Sequence, residues 1–334
     1  MNNTTRTRWL GVGESGDPDA TRAGRQAAEA ALTGPDPKLL VVFAADGYDL
    51  TVLARAVKET AGDTPVIGCS TAGEIATGGA GNTGVVVTAL GGSGFAVATA
   101  LAEATTGRLR EASSEAAMAM ERVGKLGHEV LMILTDGLAG DQQEVVRGAY
   151  DVVGASVPLV GGCAGDDLKM RRTHQIFDGR VVTGGIVAAA ISSTAPLGIG
   201  VSHGWRKVGA PMLVTKSSDN RVFELDDRPA LDVYLERLQV PEDARQDADA
   251  FTRFAITHPL GLSRRSGEEV RFVGGADFAT RSLSCIAEVP QGGLAWFMEG
   301  DTDSVLEATD NACAQALHVL GDAPPIGLIA FDCI

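Results

Sequence analysis

Aromatic residues are scarce in this chain of 334 residues, at only 5% of the composition. Hydrophobic residues still reach 45% and charged residues 21%, which is ordinary for a globular protein with a real core. The core must therefore consist mostly of Val, Leu, Ile and Ala. The length is comfortable for two domains. The 42 glycines gather at turns and loops, so we interpret them as backbone requirements.

Basic residues are outnumbered by acidic ones, giving a net charge of −15 and a pI of about 4.7. An acidic surface repels phosphate backbones and anionic lipids, which argues against nucleic acid and membrane surfaces as partners. The N-terminal segment lacks the apolar region of a secretory signal. Two uncharged stretches, 84–102 and 181–205, are interrupted by turn-like GGSG and SSTAP, so each is predicted as two buried strands. We expect a cytoplasmic protein without membrane insertion.

Cysteine is also sparse, and its spacing excludes two familiar uses. The five cysteines form an odd, scattered set without a CxxC pair, which is a poor disulfide framework and gives no sign of structural zinc. They are Cys69, Cys163, Cys285, Cys313 and Cys333.

An internal duplication is the most informative feature that is present. Residues 38–74 and 129–167 each contain an apolar run, an Asp-Gly step, a helical stretch, a Pro-led apolar run and a glycine motif. The first glycine motif is GCSTAGE (residues 68–74) and the second is GGCAGDD (residues 161–167). With the strands that follow, the copies span about 38–104 and 129–203. Similar loops in a duplicated unit can meet at a pseudo-symmetric cleft, which is a natural ligand site.

The apolar patterns predict an α/β fold in which each copy runs β-α-β, glycine loop, β-β, with a mixed sheet. A smaller α+β domain follows, so the predicted domains are 1–208 and 209–334. Helices are predicted from the Asp17-Pro18 step and at 49–60, 109–123, 141–153, 229–238 and 301–320. Strands are predicted at 39–44, 65–67, 84–90, 95–101, 130–134, 159–160, 174–177, 181–191 and 197–202. The second domain adds a hairpin at 212–225 and strands at 270–273, 282–288, 293–298 and 326–333.

Several motifs together resemble the FIST family. They are IGCSTAGEI, TDGLAG, PLVGGCAGDD, HGW and VFELDDRPALDVY for its N-terminal domain, and HPLGL, LAWFMEGD and GLIAFDC for its C-terminal domain. The resemblance covers the chain from about Leu39 to Ile334. The chain carries no fused output domain, and it stops at FDCI where the family runs on to an arginine and a short tail, so we expect a trimmed C-terminal domain.

The resemblance implies an N-terminal and a C-terminal FIST domain acting as a sensory input module. Members are proposed to bind small ligands, such as amino acids or related metabolites. They are associated with histidine kinases, chemotaxis receptors and cyclic-di-GMP enzymes, and a subset is described as haem-dependent sensors of nitric oxide.

Candidate ligand-binding residues occur first in the glycine motifs. Glycines can expose backbone N–H groups, hydroxyls can donate and accept, and carboxylates can hold a ligand amine. In the first motif the candidates are Gly68, Cys69, Ser70, Thr71 and Glu74, and in the second they are Gly162, Cys163, Asp166 and Asp167. Tight turns with local hydrogen bonds are the alternative. At the first motif a phosphate site is disfavoured, because no lysine follows it and Glu74 would repel an anion.

Three further candidates lie outside these motifs. Asp136 sits where a strand meets a helix, an edge at which α/β folds bind ligands, although helix capping is the alternative. His203 and Trp205 flank the domain boundary, where an imidazole and an aromatic wall could hold a ligand or haem. The remaining histidines show no paired metal-ligand spacing, so no metal site is predicted.

Cys163 also fits a nucleophile elbow with cysteine in place of serine, for which His174 or His203 could act as the base. No complete catalytic set is apparent, so we expect a non-catalytic small-molecule sensor with its ligand near the glycine motifs. A haem-binding gas sensor using His203 and a Cys163-dependent hydrolase or transferase remain the alternatives.

Overall fold

A computed structural model describes residues 7–103, 107–264 and 267–332. The chain divides into two compact units. The first holds the described residues of 1–139, 144–199 and 316–334, and the second holds 140–143 and 200–315 with the same restriction. The mixed α/β class predicted from the sequence is confirmed, and so is the presence of two folded units. The boundary between 208 and 209 stays a prediction.

The first copy begins with a strand that the sequence patterns did not predict. Its elements are β1 (Trp9–Ser15), α1 (Ala20–Ala31), β2 (Pro37–Ala45), α2 (Leu50–Ala61), β3 (Val66–Thr71), β4 (Glu74–Ala76), β5 (Gly79–Gly81), β6 (Val85–Gly91) and β7 (Phe95–Glu103). Asp49 caps α2 by accepting from Thr51 N and Val52 N. The cap of α1 is Asp19, so the helix begins two residues later than the start predicted at the Asp17-Pro18 step.

The second copy repeats this order without a counterpart of β1. It consists of α3 (Leu109–Ala117), α4 (Ala119–Arg122), β8 (His128–Asp136), α5 (Gln142–Val153), β9 (Leu159–Ala164), β10 (Gln175–Phe177), β11 (Arg180–Val182) and β12 (Gly185–Ser193). The single helix predicted at 109–123 is interrupted at Met118, and the single strand predicted at 181–191 is two strands. Residues 197–202 form no strand, although Leu197 and Ile199 pack on the core.

The first unit has four layers. A six-stranded sheet in the order β1-β6-β2-β3-β10-β11 lies against α1 and α2. A four-stranded sheet in the order β7-β12-β8-β9 lies against α3, α4 and α5. The inner faces of the two sheets share a core of residues such as Val41, Ile67, Met132 and Val187. Aliphatic residues and alanine dominate these cores, as the composition predicted.

One hairpin of the second copy pairs with the sheet of the first copy. β10 and β11 belong to the second copy, yet β10 pairs with β3 of the first copy, and Ile176 is fully buried there. The counterpart in the first copy, β4 and β5, pairs only with itself. Its Ile75 is 56% exposed. Sheet pairing therefore buries the apolar residue of one hairpin and leaves that of the other in solvent.

The second unit is a separate sheet domain. Its elements are β13 (Arg206–Ser218), β14 (Arg221–Leu225), β15 (Arg228–Pro229), α6 (Ala230–Arg237), a 3-10 turn (Asp243–Arg245), α7 (Ala248–Ala255), β16 (Leu260–Arg264), β17 (Gly267–Arg271), β18 (Val273–Asp277), β19 (Ser282–Cys285), β20 (Leu294–Glu299) and the part of α8 (Thr302–Leu320) up to residue 315. The sheet runs β17-β16-β20-β13-β14-β19-β18, with β15 on β14. The predicted hairpin at 212–225 and the helix after residue 301 are confirmed.

The scarce aromatic residues concentrate in this second core. The ring of Tyr234 packs on Phe251 and Phe297 with centroids 5.3 and 5.1 Å away, and its hydroxyl donates to the carbonyl oxygen of His258 at 2.9 Å. Burial raises the pKa of Tyr234 far above its ordinary value. The terminal strand predicted at 326–333 is wrong over the described residues up to 332, and Cys333 lies outside them.

No helix in the described part of the chain is long and apolar enough to cross a bilayer.

Candidate functional site

The two glycine motifs meet, as the duplication predicted. Ser70 of the first and Gly165 of the second exchange hydrogen bonds: Gly165 N donates to Ser70 O at 2.8 Å, and Ser70 Oγ donates to Gly165 O at 2.6 Å. His174 N also donates to Ser70 Oγ at 3.0 Å. Since Ser70 is fully buried, its hydroxyl ties the two copies together.

Most residues of the motifs are strand residues, so the prediction that they form loops was wrong. Gly68 to Thr71 belong to β3, and Gly161 to Ala164 belong to β9. Gly68 is required because a Cβ there would lie 2.3 Å from the carbonyl oxygen of Val42. These glycines therefore permit close approach of neighbouring strands, a tertiary requirement that a sequence does not reveal.

The two motif cysteines occupy different environments. The register pairs Leu40 with Val66 and Leu131 with Leu159, which makes Cys69 equivalent to Gly162 and offsets Cys163 by one residue. Successive strand residues point to opposite faces, so Cys69 enters the inner core whereas Cys163 is exposed. Burial, with a smaller contribution from Cys163, raises the pKa of Cys69 to about 12, which makes its thiol unreactive.

A cavity of about 490 Å³ opens beside the joined motifs. Thr71, at the end of β3, and Asp167, just after β9, both line it, so each motif contributes one predicted site residue. The other lining residues come from neighbouring segments: Gly16, Pro18, Ala45, Asp46, Gly47, Tyr48, Ala72, Asn82, Thr83 and Lys169. Its walls therefore carry hydroxyls, an amide and charges of both signs.

An ion pair in the wall of this cavity joins the two copies. Lys169 Nζ lies 2.8 Å from Asp46 Oδ2, and the side chains are 49% and 18% exposed. The hydrogen bond with Asp46 raises the pKa of Lys169 above its ordinary value, so the ammonium stays charged. The site thus presents one cation and, with Asp167, two carboxylates to whatever occupies the cavity.

Sequence reasoning noted Asp46 in the duplicated Asp-Gly step but did not select it as a site residue, and it missed Tyr48 and Lys169 entirely. The register shows why the step misled: Asp136 is aligned with Ala45, so the two Asp-Gly steps are offset by one residue. The available signal was the position of Asp46 directly after a buried strand.

Glu74 accepts hydrogen bonds from its own copy and does not line the cavity. This buried carboxylate accepts a hydrogen bond from Thr71 Oγ1 and another from Gly84 N at 3.1 Å. Gln175 Oε1 accepts from Gly185 N at 3.0 Å in the same way. Glu74 therefore corresponds to Gln175 and closes the base of the β4–β5 hairpin.

Asp136 is likewise buried at the end of β8. Its carboxylate accepts from Leu138 N at 2.9 Å, Thr173 Oγ1 at 2.7 Å and Gly184 N at 3.2 Å. It is not a helix cap, because α5 begins at Gln142 after Asp141, whose carboxylate accepts from Gln143 N. Asp136 joins three separate segments of the second copy.

Asp166 organises the segment that carries Asp167 and Lys169. Its buried carboxylate accepts from the backbone N–H groups of Met170, Arg171 and Arg172 at 3.0, 2.7 and 3.0 Å. Burial alone raises the pKa of Asp166, but these three hydrogen bonds outweigh it, so that pKa lies below its ordinary value of 3.8.

We expect Asp166→Asn to destabilise the protein by about 1–3 kcal/mol at pH 7, because the amide cannot accept all three backbone bonds as a carboxylate does. Since the folded-state pKa lies below the unfolded value, the carboxylate stabilises the fold above pH 3.8 and loses this effect as pH falls through the folded pKa. Urea unfolding at pH 7, 4 and 3 measures this. A difference between the two proteins that stayed constant with pH would contradict the assignment.

The remaining candidates lie elsewhere. His203 and Trp205 belong to the second unit, where the Trp205 ring packs against Gly300. His174 Nδ1 is 3.4 Å from Thr183 Oγ1. Within the described ranges, no group of three or more His, Cys, Asp or Glu residues could hold a metal ion. Gly162 lies on β9 and is not part of the cavity wall.

A duplicated α/β unit with a polar cavity at the junction of its copies is an arrangement in which ligand sites commonly occur. The model of the FIST N domain matches residues 38–228, and that of the FIST C domain matches residues 230–334. The chain therefore belongs to the FIST family, whose domains are sensory domains of signal transduction that bind small molecules.

Relatives of this chain include uncharacterised proteins of Mycobacterium tuberculosis and Methanocaldococcus jannaschii. The mycobacterial protein is 26% identical over 97% of this chain and 85% of its own length. The archaeal protein is 27% identical over 41% of this chain, which spans only 28% of that relative's length. Among solved structures, a cyanuric acid hydrolase from A. caulinodans matches with a TM-score of 0.32 and 11% identity, covering 58% of this chain and 72% of that one.

Proposed function

We propose that this chain is a non-catalytic sensor whose small-molecule ligand occupies the cavity between Asp46, Thr71, Asp167 and Lys169. The observation that carries the proposal is the pair of Ser70–Gly165 hydrogen bonds, which brings one cavity-lining residue from each copy to the same place. A volume of about 490 Å³ suits a small metabolite. A bound ligand would contact residues of both copies at once.

The charges of the lining favour a zwitterionic ligand, such as an amino acid or a related metabolite. Asp46 and Asp167 offer acceptors for an ammonium group, whereas Lys169 offers a donor for a carboxylate. Thr71, with the nearby Asn82 and Thr83, adds neutral hydrogen-bonding groups that can fix the orientation of the ligand. An organic phosphate is a poorer match, because two carboxylates face one ammonium.

A thermal-shift screen of the twenty amino acids, polyamines, nucleotides and haem tests the proposal. A ligand at 100 times its Kd stabilises the folded state by about 2.7 kcal/mol, which is a measurable rise in Tm. We expect an amino acid or a polyamine to raise Tm of the wild type. The same compound should produce no shift in Asp46→Asn, and an amino acid should also produce none in Lys169→Met, because each variant removes the charge that pairs with one group of the ligand.

Asp151→Asn is the matched control, since Asp151 forms an exposed ion pair with Arg110 at 2.7 Å. A compound that shifts wild type, Asp46→Asn and Asp151→Asn equally would place its site elsewhere. No shift with any compound would reject the cavity as a receptor site.

The finer expectations remain predictions of the family resemblance. These are a cytoplasmic location and signalling to a histidine kinase, a chemotaxis receptor or a cyclic-di-GMP enzyme. Neither alternative function gains support from the described geometry. The hydrogen bonds given by His174 lead to Ser70 and Thr183, and His203 lies in the second unit.

A further inference from the structure

An exposed loop follows Asp166 and presents apolar and basic side chains together. All six residues of this loop, 167–172, are exposed to solvent. The side chains of Leu168 and Met170 are 47% and 40% exposed, so the loop presents two apolar groups beside its charged residues. Arg171 and Arg172 form no ion pair within the described part of the chain.

The loop is held in one conformation although it is exposed. Asp166 fixes its far end through the three backbone hydrogen bonds described above. Asp167, Leu168 and Met170 adopt positive φ angles of 57, 58 and 51°, a region that costs energy for residues with side chains. A preorganised loop loses little conformational entropy when a partner binds, so it can bind with few contacts.

Alternate side chains of the loop line the cavity and face the solvent. Asp167 and Lys169 line the cavity, and Lys169 is paired with Asp46. Leu168 and Met170 are not part of the cavity wall and remain in solvent. Exposed Met beside Arg is typical of protein interfaces, where Met adapts its shape and Arg donates several hydrogen bonds.

The two arginines of the loop carry positive charge in an acidic chain. Arg171 and Arg172 are exposed and form no ion pair among the described residues, whereas Lys169 is paired with Asp46 and the carboxylates of Asp166 and Asp167 lie in the same segment. Fields of exposed charges decay over about 8–10 Å at physiological salt, so a short segment bound here experiences the local cations more than the distant acidic surface. A whole polyanion or a second copy of this chain would meet long-range repulsion instead.

We propose that residues 168–172 form a docking site for an acidic, aliphatic-containing peptide segment of a partner protein. Arg171 and Arg172 bind its carboxylates, and Leu168 and Met170 contact its aliphatic side chains. The assignment does not depend on the ligand of the cavity, so it stands or falls separately from the proposed function.

The test is selection of a phage-displayed random dodecapeptide library on the full chain, followed by fluorescence anisotropy with the most enriched peptide. We expect enrichment of Asp and Glu together with Leu, Ile or Phe. We expect Kd to rise at least tenfold in Arg171→Glu/Arg172→Glu, severalfold in Leu168→Ser/Met170→Ser, and with increasing NaCl. These side chains are exposed, so all variants should keep the Tm of the wild type.

Arg55→Glu/Arg253→Glu is the control, because it makes the same charge change at two exposed arginines outside the loop. It should bind the peptide within twofold of wild type. Equal loss in both arginine pairs, or enrichment of peptides without acidic residues, would overturn the proposal. So would equally tight binding of phosphatidylserine vesicles or single-stranded DNA, or a dimer of the chain that Arg171→Glu/Arg172→Glu dissociates.

Discussion

Gly161→Ala is expected to destabilise the protein by at least about 3 kcal/mol, through both backbone strain and a steric clash. Gly161 has a φ of +135°, which residues with a Cβ rarely adopt. A Cβ at this position would also lie 1.8 Å from the carbonyl oxygen of Ile133 on the neighbouring strand β8. Relief requires β9 to separate from β8, so we expect a lower urea midpoint and a lower yield of folded protein.

Gly162→Ala is the matched control for this prediction. Gly162 is the next residue of the same strand, and the nearest atom to its added Cβ is a ring carbon of Phe331 at 3.8 Å, an ordinary contact. We expect its urea midpoint to stay close to that of the wild type. Similar losses in both variants would show that any methyl group on β9 is harmful and that the contact with Ile133 is not the cause.

Asp136→Ala should cost roughly 3 kcal/mol or more, because the change leaves buried hydrogen-bond donors without an acceptor. The carboxylate joins Leu138 N, Thr173 Oγ1 and Gly184 N, which belong to three separate segments. Asp136→Asn keeps one acceptor oxygen and should recover part of the loss. Urea unfolding followed by circular dichroism measures the ranking of wild type, Asn and Ala.

The surface variant Asp151→Ala provides the comparison. Asp151 and Arg110 form an ion pair with both side chains 49% exposed, and such pairs contribute about 0.2–1 kcal/mol. If Asp136→Ala lost no more stability than Asp151→Ala, the carboxylate would not be the link between the three segments.

Sequence patterns predicted those elements whose formation depends on neighbouring residues in the chain. The apolar spacing at 49–60 predicted α2 within a residue or two, and the hairpin at 212–225 followed from its turn. β1 was missed because Gly11 and Gly13 interrupt its apolar pattern. Both glycines let α1 approach, with Ala31 O and Ala27 O 2.2 and 2.0 Å from the added Cβ positions. The requirement for glycine at these positions arises only when α1 packs on β1 in the folded protein.

The candidate site shows the same division. The duplication predicted correctly that the glycine motifs would meet, since repeated units place equivalent segments together. It could not distinguish carboxylates bound to backbone groups, such as Glu74 and Asp166, from Asp167 in the cavity wall. It also could not pair Lys169 with Asp46, because these residues are 123 positions apart and only the layered fold brings them together.

The hairpin that crosses between the copies constrains how this protein can be divided. A fragment holding only the first copy would lack β10 and β11, so β3 would become an open sheet edge able to recruit foreign strands. The second copy alone would carry that hairpin with no β3 to receive it. One covalent chain therefore supplies within a single molecule the strand pairing that two separate copies could form only by strand exchange.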